Sequence, residues 1–318
     1  MNTAQFERRR LGKTGFEVTV LGIGGAWLGN QHGSYSREIA VQTVLAGLGS
    51  GINLVDTSDN YIGGESEVYV GEALQHWFQQ GHRREDLIVS TKITDAAENP
   101  GAFSYDATMR GVERALRLLQ LDYVDIMHVH DPTTLDQVLA QEGSLAALQR
   151  LKGEGTIRAI GLGCRPHEFH RTCIETGQFD VSLTFHDYNL VDASARKGVL
   201  EPAMEHDVGV FDATIYAGGI LGGEDPYVVF DQPDQRTEKV EDARKLWLWC
   251  RERGLDLGTL NLHFCLRELR FSSILIGFSR PARVEQNVAA YGTTIGPRIW
   301  DELARDFPIE VPEGRGTS

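Results

Sequence analysis

Cysteine is scarce in this chain: Cys164, Cys173, Cys250 and Cys265 are the four among 318 residues. They form no CxxC pair and show no metal-ligand spacing, so neither a disulfide framework nor a zinc cluster is indicated, and free thiols in a reducing compartment are expected. Positive charge is also in short supply, with 31 Lys and Arg against 45 Asp and Glu and a formal net charge of −14. A field of that sign repels phosphate, which argues against nucleic-acid or anionic-membrane partners; a local basic cluster can still hold one small phosphorylated ligand. Long apolar runs are missing too, none approaching the ~20 residues of a membrane helix. The opening MNTAQFERRRLGKTG lacks the hydrophobic core of a signal peptide. A soluble, cytoplasmic protein is the expectation; its oligomeric state is not legible.

What the chain does have is enough apolar material for a sizeable core, 41% of residues, arranged as short runs alternating with amphipathic segments. The runs are VTVLGIGG (18–25), INLVD (52–56), LIVSTK (87–92), YVDIMHVH (123–130), IRAIGLG (157–163), DVSLTF (180–185), VGVFDAT (208–214) and SSILIGF (272–278). Each is short and rich in β-branched residues, as buried parallel strands are. Between them, Met109, Val112, Leu116 and Leu119 recur at helical spacing, as do Leu145, Leu148 and Leu151 ahead of the stop at Gly153 and Gly155. Val240, Ala243, Trp247 and Cys250 mark another helix, ended by Gly254. Eight strand–helix units fit one closed (β/α)8 TIM barrel, a single domain over residues 1–318, with a short N-terminal segment and a C-terminal extension in which IWDELARDF forms a last helix. An open doubly wound sheet is the rival, but no GxGxxG follows the first run.

A barrel carries its chemistry at the C-terminal ends of its strands. Asp56 ends the second run, Lys92 the third and His130 the fourth, with Tyr61 in the loop after the second. An unassisted phenol, of pKa about 10, is a poor acid and a poor base near neutrality. A neighbouring lysine ammonium favours the phenolate and is expected to lower that pKa. A carboxylate beside the lysine keeps it charged, and an imidazole can orient a carbonyl or hydroxyl oxygen. Such a group would move a proton on oxygen while hydride moves on carbon. His128 and His130 also form an HxH pair on one strand face, the start of a metal site. The ends of the later runs, GLG, DAT and IGF, supply no further ligands, so no metal is expected.

DTSDNY, STK and DIMHVHDP together resemble the three catalytic segments of the aldo-keto reductases, and the likeness runs from about Arg9 to Tyr291. The resemblance implies a nicotinamide-dependent barrel enzyme in which Asp56, Tyr61, Lys92 and His130 form the catalytic tetrad. It implies an adenosine-binding segment in GFSRPARVEQN, using Gly277, Ser279, Arg280, Arg283, Gln286 and Asn287. Pro281 suits the first turn of a helix there, whose N-terminus attracts anions. Phe278 stands where many NADPH-specific members carry a lysine, while Arg280 and Arg283 favour a phosphate; NADP is preferred and NAD stays open. Gly25 and Asp56 fall among the cofactor positions of the family, as do Cys164, Arg165 and Thr214 on the nicotinamide side. There the chain departs from the family, with Gly163-Cys164-Arg165 in place of Ser-Asn, no glutamine in SLTFHDYN, and Ala213 where a tyrosine stacks. The aldose dehydrogenase branch is the most similar. A sugar or related aldehyde is therefore the implied substrate, with Trp27, Tyr61, His130 and His186 facing it. Two alternatives remain open: a carbonyl reductase of aldehydes or keto-sugars, and a catalytically weak nucleotide-binding sensor or partner subunit.

Overall fold

All eight apolar runs become parallel strands: β1 (Leu21–Gly24), β2 (Leu54–Asp56), β3 (Ile88–Thr94), β4 (Val124–His130), β5 (Ile157–Gly163), β6 (Val181–Phe185), β7 (Gly209–Ala213) and β8 (Ser273–Gly277). The computed structural model describes residues 6–31, 33–95, 101 and 103–314, and in it the strands close into a barrel in sequence order. Closure joins β8 to β1, with Gly277 opposite Gly24. The main helices are α1 (Arg37–Gly49), α2 (Ser66–Gln79), α3 (Tyr105–Leu119), α4 (Ser144–Gly153), α5 (His167–Glu175), α6 (Glu201–Glu205), α7 (Glu238–Glu252), α8 (Leu257–Arg267), α9 (Pro281–Tyr291) and α10 (Pro297–Asp306). Among the described residues no helix is long and apolar enough to cross a membrane.

Side-chain alternation divides the core in two. Leu54, Ile88, Ile126, Ala159, Val181, Leu183, Phe211 and Leu275 point into the barrel and fill it, while a larger apolar layer joins the outer strand faces to the helices. The floor is plugged by a hairpin, Arg8–Arg10 against Glu17–Thr19, which inserts Leu11, Phe16 and Val18 beneath the inner layer. Its turn demands a glycine. Gly12 has a φ of 47°, and a Cβ there would lie 2.2 Å from the Gly209 nitrogen.

Polar side chains near the strand bases tie neighbouring strands together. Asp125 accepts hydrogen bonds from the Val89 N–H (2.8 Å), Arg84 and Arg158, and Asp180 accepts from the Ile160 N–H (2.8 Å) and Lys152. Asp125, the first residue of DIMHVHDP, is thus a structural clamp that fixes how β3 and β4 sit beside each other.

Three expectations about elements need correction. The first run joins two elements, because the chain bends at Val20 and only Leu21–Gly24 enters the barrel. The buried face of α7 is Val240, Ala243, Leu246, Trp249 and Cys250; Trp247 is half-buried and donates to the Gly223 carbonyl. Finally, β3 continues two residues past Lys92, because Thr94 still pairs with His130. Lys92 therefore lies inside the barrel, opposite His128.

Candidate active site

Lys92 is fully buried, and its ammonium donates to Asp56 Oδ2 and to the Thr57 carbonyl (2.7 Å). The other Asp56 oxygen accepts from Ser90 Oγ (2.8 Å). An isolated buried ion costs several kcal/mol, so each charge is kept by its partner. Burial alone would strip the proton from Lys92; Asp56 and then Tyr61 outweigh it and hold the lysine above its usual range. The ammonium lies 4.7 Å from the centre of the Tyr61 ring, which meets the His130 ring edge-on at 5.7 Å. Asp56, Tyr61, Lys92 and His130 thus share one hollow at the top of β2–β4.

Tyr61 owes its place to an unusual turn. Ile62, Gly63 and Gly64 have φ of 56°, 64° and 93°, all left-handed, and they reverse the chain before α2 begins at Ser66. For a β-branched residue such as Ile62 this conformation is strained, and strain of this kind concentrates at functional sites. Asp59 anchors the loop to β3 by accepting the Thr94 N–H (3.0 Å). Below it, Glu67 accepts from Thr91 Oγ1 (2.7 Å), and burial raises its carboxyl to about 7.

The phenol does not behave as expected. Burial pushes the Tyr61 phenol above its ordinary range, and Lys92, pulling the other way, offsets this only in part because Asp56 opposes it. The resting hydroxyl therefore keeps its proton firmly. His130 is the opposite case: burial, helped by Lys92, drives its pKa down to about 3, so the imidazole is neutral. Its Nδ1 contacts Ser58 Oγ (3.1 Å) and Thr94 Oγ1 (3.0 Å). When one of these hydroxyls donates to Nδ1, the ring proton sits on Nε2, ready to be offered to a ligand. Ser58 and Thr94 carried no special signal in the sequence, although Ser58 lies within DTSDNY.

Residues expected to face a cofactor are spread around the rim. Gly25 packs against the top of β2, where a Cβ would lie 2.9 Å from the Asp56 carbonyl oxygen. Gly277 ends β8, with Trp27 over it, and the Trp27 side chain is 55% exposed. Beyond it Phe278 is buried, Arg280 and Arg283 are exposed, and Pro281 opens α9. Arg283 donates to Gln286 Oε1 (3.2 Å), and Asn287 donates to the Arg283 carbonyl (2.8 Å) while accepting from Tyr216 Oη (2.6 Å). Across the mouth, Arg165 is exposed, while His186 and Thr214 are half-buried with left-handed φ of 65° and 58°. Cys164 departs from its expected role. Its thiol is buried with Sγ 3.6 Å from His170 Nε2 on α5, and burial holds its proton on, so it faces the helix layer.

His128 lies one layer below, fully buried, with its ring against Gly161, where a Cβ would come within 2.1 Å of Nδ1. Burial holds this imidazole neutral as well.

The chain is similar to known proteins over most of its length. L-galactose dehydrogenase of Arabidopsis thaliana is 33% identical over 292 residues, covering 90% of this chain and 88% of the relative. D-threo-aldose 1-dehydrogenase of a Pseudomonas species is 26% identical, covering 94% and 97%. Among solved structures, an aldo-keto reductase from Bacillus halodurans in its holo form superimposes with a TM-score of 0.75 at 24% identity, covering 95% and 96%. One from Klebsiella pneumoniae in complex with NADPH gives 0.71 at 21% identity, covering 95% of each chain. The Aldo/keto reductase family model matches residues 20–304, and with the barrel and the four converging side chains in view, the chain belongs to the aldo/keto reductase family.

Proposed function

We propose that this protein is an NAD(P)-dependent oxidoreductase that moves hydride between a nicotinamide cofactor and C1 of an aldose or a related aldehyde. The observation that carries this reading is the Tyr61–Lys92–Asp56 arrangement beside a neutral His130. The named activities of the relatives, L-galactose and D-threo-aldose dehydrogenation, support a sugar as substrate.

The rim suits a nicotinamide dinucleotide. Two exposed guanidiniums and Ser279 at the start of α9 make an anion site, which favours the phosphate-bearing NADP. A Cβ on Gly163 would meet nothing closer than 3.8 Å, which leaves open floor beside His130 and Leu183. When bound there, the cofactor supplies the hydride acceptor or donor.

The chain's own residues then do the following. His130 Nε2 donates to the reacting oxygen and orients it; being neutral, it holds that oxygen without delivering the proton. Tyr61 Oη gives its proton to the oxygen during reduction and receives it during oxidation. Lys92 offsets the cost of the phenolate that reduction leaves behind, and Asp56 keeps Lys92 charged throughout. The four cysteines are free and buried, in keeping with a cytoplasmic location.

The test is cofactor reduction followed at 340 nm over a panel of aldoses, with NADP and NAD in parallel. Turnover of at least one aldose, faster with NADP, is expected. Cofactor binding with no turnover of any sugar or aldehyde in either direction would refute the reading.

A further inference from the structure

Immediately after His130 the chain bends sharply. Asp131 has a left-handed φ of 46°, and its N–H donates to the Gly163 carbonyl (2.9 Å). The bend turns its carboxylate back over the site, where Oδ2 lies 3.6 Å from His130 Nε2 and the side chain is half exposed. Its charge is felt at Tyr61. The nearby acids have partners: Asp56 holds Lys92 and Ser90, and Asp59 holds the Thr94 N–H. Among the described residues, Asp131 accepts no hydrogen bond from a protein side chain. At 3.6 Å from a neutral imidazole it forms neither a hydrogen bond nor an ion pair with His130.

We propose that Asp131 recognises the hydroxyl on the carbon next to the reacting one, and so makes the site selective for aldoses and other α-hydroxy aldehydes. This rests on the oxidoreductase reading above. A reacting oxygen held by Tyr61 and His130 lies about 3 Å from Nε2. A hydroxyl one carbon away then falls beside the Asp131 carboxylate, which can only accept, and the hydroxyl supplies the donor it lacks. Cofactor and substrate together cover Asp131 and remove its water. A plain aldehyde leaves a desolvated, unpaired carboxylate under the ligand; an α-hydroxy aldehyde does not. Discrimination therefore arises as much from rejecting the wrong substrate as from holding the right one.

The experiment compares kcat/KM for L-galactose with that for 2-deoxy-L-galactose in oxidation. For reduction it compares glyceraldehyde with 3-hydroxypropanal, a pair that does not depend on which sugar is the natural one. Asp131→Asn is the first variant, because asparagine tolerates the left-handed backbone, and Asp131→Ala the second. Wild type is expected to prefer the α-hydroxylated member by at least about tenfold, and both variants to bring that ratio to within about threefold of unity. Equal efficiency in wild type, or a preference that survives both substitutions, overturns the role of Asp131. Turnover in those same assays would still support the oxidoreductase reading, so the two failures are distinct.

Discussion

Two aromatic side chains 5.7 Å apart are set to opposite proton states by the same hollow. Desolvation disfavours whichever form is charged, so it holds the proton on the Tyr61 phenol and off the His130 imidazole. The sign of its effect on stability follows. An unfolded histidine titrates near 6.5, while folded His130 titrates near 3, so between those values the unfolded chain binds more protons and stability falls as pH falls. His170, near 4, adds to this slope; Glu67, near 7, opposes it, because its folded form binds the extra proton between about 4.5 and 7. Denaturant unfolding at pH 7 and pH 5 is expected to show His130 accounting for about 2 kcal/mol of the loss. His130→Gln should be correspondingly less sensitive to acid. Equal losses in wild type and variant would mean that the imidazole is charged in the fold.

At the scale of elements, β4 and β5 approach closely because Gly161 leaves room for the His128 ring. Adding a methyl group at Gly161 forces a well-packed layer apart, at a typical cost of 1–3 kcal/mol. Gly161→Ala should lower the thermal midpoint, and adding His128→Ala should recover part of the loss; an unchanged midpoint would show that the ring moves aside freely. This contact also marks the limit of what the sequence discloses. The eight runs, the helices between them and the four converging residues were legible because strand periodicity and barrel topology together dictate where strand ends meet. The bend at Val20, the Leu246–Trp249 face of α7 and the extension of β3 to Thr94 were not, since each depends on a partner distant in the chain. The phenol's direction was missed for a related reason: spacing reveals that Lys92 is near Tyr61, but not how thoroughly both are removed from water. Asp131 was visible in HVHDP, yet only its left-handed backbone shows where the carboxylate goes.

The whole molecule separates stability from chemistry along the barrel axis. The hairpin plug and the Asp125 and Asp180 clamps secure the base, which leaves the opposite rim free to carry strained turns and unpaired polar groups. Against its net charge of −14, the exposed guanidiniums of Arg280 and Arg283 place positive charge at the start of α9, where the proposed function puts the phosphate of the cofactor. In the proposed reaction a single group, the Tyr61 phenol, carries the proton. The most direct test is Tyr61→Phe, which removes one hydroxyl and leaves the rim intact: NADPH binding, followed by quenching of protein fluorescence, should match wild type, while kcat for aldose oxidation falls about a thousandfold. Unimpaired turnover in that variant would contradict the account, because the proton would then travel by another group.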